Sequence, residues 1–200
     1  MDGSVTVDDS KLDFDVPFSE ILDDLNYGFQ GVVQATHGQW TVLLDNTHMS
    51  LTSDATLSPG PGPGFPVDAD AAVLISELAG LRRLGADSPY ELGLGARYTQ
   101  LRTDVDIGPL PGIHDEDSVT DGIVVGRARW PLGGHWLFDL YADAGTGDSD
   151  FTWQGTGNFI YAFERWNLIF GYRILDYDVG GDLDADLQLE GVMAGASFRF

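Results

Sequence analysis

The chain contains no cysteine, so neither a disulfide frame nor thiol chemistry is open to it, and redox usage says nothing of its compartment. Lysine is nearly absent: of ten cations only Lys11 is a lysine, against 26 aspartates and 6 glutamates. A net charge of −22 lacks the basic footprint that nucleic-acid binding requires. No apolar run approaches the ~20 residues of a membrane helix. No phosphate-binding glycine loop, zinc pattern or nucleotide fingerprint occurs. Disorder, the ordinary consequence of so much charge, is excluded by a composition that is 43% hydrophobic and 12% aromatic.

What is present is a period of two. Tyr27, Phe29, Gly31, Val33 and Ala35 alternate with Gly28, Gln30, Val32 and Gln34. Leu92, Leu94, Ala96 and Tyr98 alternate with Glu91, Gly93, Gly95 and Arg97. Trp136, Phe138 and Leu140 alternate with Asp139, Tyr141 and Asp143, and Trp166, Leu168, Phe170 and Tyr172 with Asn167, Ile169, Gly171 and Arg173. This is strand periodicity. It predicts nine strands over residues 25–36, 40–52, 70–84, 90–104, 118–130, 135–145, 150–163, 166–177 and 186–200. The third is the least clear, because Ala72 to Leu78 reads as apolar on both faces. Residues 1–24 form an N-terminal segment to this single domain, and 25–200 its strands. Phe18, Ile21, Leu22 and Leu25 recur at helical spacing behind Ser19, which predicts a short amphipathic helix there.

The connections alternate in length. Those at 37–39, 86–88, 131–134 and 164–165 are short; those at 53–68, 106–117, 146–149 and 178–185 are longer, acidic and rich in glycine or proline. Trp40, Tyr90, Trp130, Trp136, Tyr161, Trp166, Phe198 and Phe200 all fall beside the short turns. Lopsided loops and an aromatic girdle are the pattern of a transmembrane β-barrel. The expected fold is therefore an antiparallel up-and-down barrel of about 8–10 strands, closed by pairing of its last strand with its first, since lipid tolerates no open edge.

The stretches DGSVTV, FSEILDDLNYGFQG, GQWTVLLD, LGLGARYTQL, DGIVVGRARWPL, HWLFDLYADAG, FTWQ, RWNLIFGYRILDYD and the terminal FRF resemble a family of Gram-negative outer-membrane β-barrel proteins. The resemblance implies a barrel in the bacterial outer membrane and neither a reaction nor a ligand. The terminal Phe200, with Phe198 two residues before it, is similar to the signal read by the barrel-insertion machinery. Family members carry an aromatic-rich strand before the Asp-Gly. Here Met1 precedes Asp2-Gly3, and nine is an odd count, so a first strand is either missing or supplied by a rearranged N-terminus. Asn46 and His48 also depart, falling on the face that Trp40, Val42 and Leu44 mark as lipid-facing.

An Arg facing lipid at mid-bilayer costs roughly 2–4 kcal/mol. Arg97, Arg127, Arg129 and Arg173 are therefore expected to point inward, with Glu91, Asp121, Asp139, Tyr141 and Asp143 of the same parity. Two uses follow: a salt-bridged plug, or a narrow polar pore for small solutes. The acidic residues Asp178, Asp182 and Asp184 are weak candidates for Ca²⁺ or Mg²⁺, though their spacing fits no EF-hand. No catalytic residue is assigned; His48 and His114, near the long-loop rim, are what an enzyme acting on lipid or peptide would have to use. A soluble, lipocalin-like ligand carrier is the remaining alternative and predicts apolar residues inside. The expected partners are the bilayer with its lipopolysaccharide and the insertion machinery; the expected state is monomeric.

Overall fold

The computed structural model describes residues 2–7, 10–15, 25–57, 65–107, 112–179 and 185–198. A hairpin, β1 (Asp2–Val7) and β2 (Ser10–Asp15), comes first. Nine strands then form one antiparallel sheet in chain order: β3 (Leu25–His37), β4 (Trp40–Leu57), β5 (Phe65–Arg83), β6 (Tyr90–Ile107), β7 (Ile113–Gly133), β8 (Trp136–Gly147), β9 (Phe151–Ala162), β10 (Trp166–Val179) and β11 (Ala185–Phe198). The nine match the strands that the period of two predicts, including β5. The described residues contain no helix; most of the predicted helix, residues 18–24, lies outside them, and Leu25 opens β3.

The short turns work as their residues dictate. Gly38 turns β3 into β4 at a φ of 61°, and Gly133 and Gly134 turn β7 into β8 at 102° and 59°. The other ends differ from expectation. Segments 53–57, 65–68, 106–107 and 113–117, predicted as loop, continue the ladder, with Ser53 facing Ala69 and Asp104 facing His114. Their polarity does not prevent pairing. Cross-strand bonds hold the extension: His114 Nδ1 to Asp104 at 2.7 Å and Gln100 Nε2 to Glu116 at 2.7 Å.

The sheet curls. Arg173 of β10 donates to Thr47 of β4 at 2.7 Å, and Arg127 of β7 to Gln34 of β3 at 2.8 Å, so strands distant in the order face one another across a concave side. The result is a half-barrel, and the predicted pairing of β11 with β3 is not made. Each strand opposes its neighbour, so the first and ninth run in the same direction, and the antiparallel pairing expected of them is impossible.

The two faces are inverted relative to an ordinary water-soluble sheet. On the convex side Phe29, Trp40, Leu94, Phe170 and Val192 are exposed, Leu94 at 68% and Val192 at 79%. On the concave side Arg97 is 0% exposed and Glu77 1%. Charged groups this deep occur only when paired. At Gly93 of β6 the neighbouring backbone is close enough to require glycine: a Cβ there would strike the carbonyl oxygen of Gly80 and stand 2.8 Å from Leu81 Cα.

Candidate functional site

The concave face is built in layers. At the short-turn end lies a polar layer around Asp139; above it Leu43, Ala79, Leu81, Ile123, Val125 and Tyr141 form an apolar cluster. A second polar layer surrounds Arg97, and Val73, Ile75, Leu175 and Tyr177 form an apolar cluster towards the long-loop end. Alternation along each strand produces this stacking, because every second residue of β4 to β10 points inward.

The central polar layer turns on two residues. Glu77 of β5 accepts from Tyr141 Oη, from Gln154 Nε2 at 3.1 Å and from Arg97 Nη2 at 3.4 Å. Arg97 also donates from Nη2 to Asp143 and from Nη1 to Thr152 Oγ1 at 2.9 Å, while its guanidinium stands 5.9 Å from the Tyr177 ring. Gln154 extends the network, taking Arg173 Nε at 2.9 Å and Nη2 at 2.5 Å on its carbonyl oxygen. Arg173 Nη1 then reaches Thr47 and stands 3.9 Å from Asp45, which accepts from Gln30 Nε2 at 2.7 Å. Seven strands are tied by these side chains.

The lower layer is simpler. Asp139 receives Arg127 Nε at 3.0 Å, Arg127 Nη2 at 2.6 Å and Arg129 Nε at 2.7 Å. Both guanidinium groups also donate to Gln34 Oε1 of β3, at 2.8 and 2.7 Å. Glu91 accepts from Thr41 at 3.2 Å and lies 3.8 Å from Arg83. It helps line a rim cleft of about 260 Å³ together with Arg83, Ser88 and Arg129.

Arg97, Arg127, Arg129, Arg173, Glu91, Asp121, Asp139, Tyr141 and Asp143 stand on the concave face. Their pairing is less regular than one arginine to one carboxylate. Arg127 and Arg129 share Asp139, Arg173 is held chiefly by an amide and a hydroxyl, and among the described residues Asp121 meets no arginine in hydrogen bonding. Asp121 instead accepts the Ser149 backbone N–H at 3.0 Å and its hydroxyl at 2.8 Å, clamping the β8–β9 turn. Glu77, Gln154, Asp45 and Gln34 are essential members that sequence reasoning missed. Glu77 sits in the stretch read as apolar on both faces, and its inward parity with Ile75 and Ala79 was the available signal. The others are neutral or isolated and carry no pattern of their own.

The aromatic residues at the short-turn end stand on the convex face and touch one another. Tyr90 and Trp130 lie 6.0 Å apart, Trp130 and Phe138 stack at 6.0 Å, and Phe138 and Phe159 are 4.9 Å apart. Trp136, Tyr161, Phe163 and Trp166 continue the row at 5.0, 4.8 and 4.2 Å. Trp40 carries Arg82 5.7 Å from its ring. Phe198 is exposed, and Phe200 lies outside the described residues.

Asn46, polar on this apolar face, accepts from Ser76 Oγ at 2.7 Å, so the departure is a mutually bonded pair. His48 and His114 are not brought together: they stand on β4 and β7, and His114 is engaged with Asp104. That bond, and the nearby Arg102, hold the Asp104 carboxyl below its ordinary range. Asp178 is exposed at the end of β10, while Asp182 and Asp184 lie outside the described residues. Among the described residues no group of three His, Asp or Glu side chains is placed to hold a metal. No protein-family model, curated protein or solved structure matches the chain.

Proposed function

We propose that this chain is a β-barrel protein of the bacterial outer membrane whose interior is a packed polar plug, and that its role is structural. The observation that carries the reading is the inversion of the sheet. Leu94 and Val192 project from the convex face while Arg97, Glu77 and Asp143 are buried on the concave one. A soluble ligand carrier needs the opposite distribution. In lipid the convex side chains are in their preferred solvent, and the ring row at the short-turn end lies where headgroups meet water. The acidic long-loop end then faces outward, towards lipopolysaccharide.

A plug is favoured over an open pore because most charges of the interior are engaged by its own side chains. Arg97 holds Glu77, Asp143 and Thr152, Arg127 holds Asp139 and Gln34, and an apolar cluster lies between the two polar layers. A narrow path for small solutes is the second reading. It is favoured by one observation: the inward positions of β3 and β11 are uncharged, with Gln34 and Thr36 exposed and space beside Gly191 and Gly195.

Extraction and electrophoresis test the main reading. The protein should need detergent to leave membranes, and its unboiled form should migrate apart from its boiled form. Solubility in plain buffer without such a shift would refute it. Planar-bilayer recording separates the two uses: the plug predicts silence, and discrete conductance steps would establish the pore.

A further inference from the structure

We propose that the cleft at the short-turn rim, between the β5–β6 turn and the end of β7, is a binding site for a small zwitterion that carries an ammonium and a carboxylate on one carbon, as a free α-amino acid does. The site is independent of the membrane reading, because it is defined by groups that the concave network leaves unfinished. Its walls are fixed by backbone bonds. Leu84 N–H donates to the Tyr90 carbonyl at 3.0 Å, Ser88 N–H to that of Gly85 at 3.3 Å, and Arg129 N–H to that of Pro89 at 2.9 Å, which ties the turn to β7. Pro89 and Pro131 add stiff apolar walls around about 260 Å³. That is below the usual range for drug-sized ligands, about 300–1,000 Å³, so the occupant is small.

The unfinished groups are of both signs. The guanidinium of Arg83 is partly exposed, makes no hydrogen bond among the described residues and approaches Glu91 only to 3.8 Å. Arg129 spends Nε on Asp139 and Nη2 on Gln34, and its Nη1 has no partner among the described residues. Glu91 is buried. Its Oε1 takes the Thr41 hydroxyl, whereas Oε2 is enclosed with no partner among the described residues. A buried acceptor left in that state carries its full desolvation cost. Ser88 Oγ accepts the Tyr90 N–H at 3.2 Å and keeps its own hydrogen to donate. Two guanidinium groups therefore call for an acceptor and one carboxylate for a donor. Asp87, exposed on the turn, completes a lining of two cations and two anions. A plain anion would meet Glu91 and Asp87 as like charges, and a plain cation would meet the arginines. A zwitterion suits both: its carboxylate takes Arg129 Nη1 and Arg83 with the Ser88 hydroxyl beside them, and its ammonium faces Glu91. The 3.8 Å gap between Arg83 and Glu91 is too long for a hydrogen bond, so seating the ligand across it breaks none.

Isothermal titration of the purified full chain with L-alanine, acetate and methylammonium, each as a separate probe, tests the site. The medium is detergent or, should the membrane reading fail, plain buffer, so the two readings fail separately. Alanine should give a saturable isotherm, with acetate and methylammonium weaker by about tenfold or more, since each forgoes one set of charge-assisted bonds. Arg83→Gln removes a partly exposed cation that has no hydrogen bond to lose, and should weaken alanine by about tenfold without disturbing the fold. Glu91→Gln should abolish the preference for alanine over acetate. Should Glu91→Gln fail to fold, the three probes and Arg83→Gln still decide. No saturable binding of alanine would overturn the proposal. So would acetate or methylammonium binding as tightly as alanine, an Arg83→Gln variant of unchanged affinity, or a folded Glu91→Gln variant that keeps the preference.

Discussion

The concave face has two differently built regions. Across β5 to β10 it is filled: Arg97, Val125, Ile75 and Tyr177 are almost wholly buried, and polar layers alternate with apolar ones. On β3 and β11 the same face is open, lined by Gln34, Val32, Gly191 and Gly195. Both regions obey the same alternation, so local pattern does not separate them. The difference lies in what stands opposite. An inward residue on β6 meets β8, β9 and β10 across the curl, whereas one on β11 has only its neighbour β10 in the sheet. Burial is therefore a property of closure and not of the strand itself.

The comparison can be broken most strongly at its centre. Arg97→Met leaves Glu77 and Asp143 buried without their cation, and removing one member of a buried ionic network typically costs about 3–5 kcal/mol. The temperature at which the compact unboiled band disappears should fall sharply; an unchanged midpoint would mean that the layer carries no such coupling. Gly93→Ala forces a methyl into the β5 backbone, and overpacking of this kind costs about 1–3 kcal/mol. Denaturant titration of folded protein in micelles would register it.

A matched pair sharpens the contrast. Val125→Thr buries a hydroxyl with no assigned partner and should lose about 1–3 kcal/mol. Val32→Thr on the open side should stay within about 0.5 kcal/mol of the parent, as exposed substitutions do. Equal losses in the two variants, measured by the same titration, would show that the open side is packed in the membrane.

The smallest effect lies beyond the concave face. Because Asp104 is held below its ordinary range, the folded state binds its proton less readily than the unfolded chain. Its contribution is complete above the unfolded carboxylate value near 4 and is lost as pH falls below it. Protease cleavage of the β6–β7 extension should rise below about pH 4 in the parent. In Asp104→Asn it should be faster at neutral pH and nearly independent of pH in that window.

Much of the site was legible beforehand because inward parity is a property of one strand. Arg97 alternates with Leu94 and Tyr98, and no tertiary information is needed to place it opposite them. Partner choice was not legible. That Arg127 and Arg129 converge on Asp139 follows from the register between β7 and β8, and that both reach Gln34 follows from the curl. Loop limits were misread at 53–57 and 113–117 for a related reason: an acidic ribbon in water keeps its ladder when cross-strand partners such as Asp104 and His114 meet.

The sequence by itself determined the nine strands of the large sheet, its two faces and the end at which the aromatic rings gather, because these depend on a period of two and on turn residues acting locally. Only the tertiary structure decided which inward charges share a partner, that Glu77 stands at the centre of the network, and that β3 and β11 do not meet. Those outcomes depend on register, on curvature and on the direction in which a ninth strand must run, and none of the three is written in any single segment of the chain.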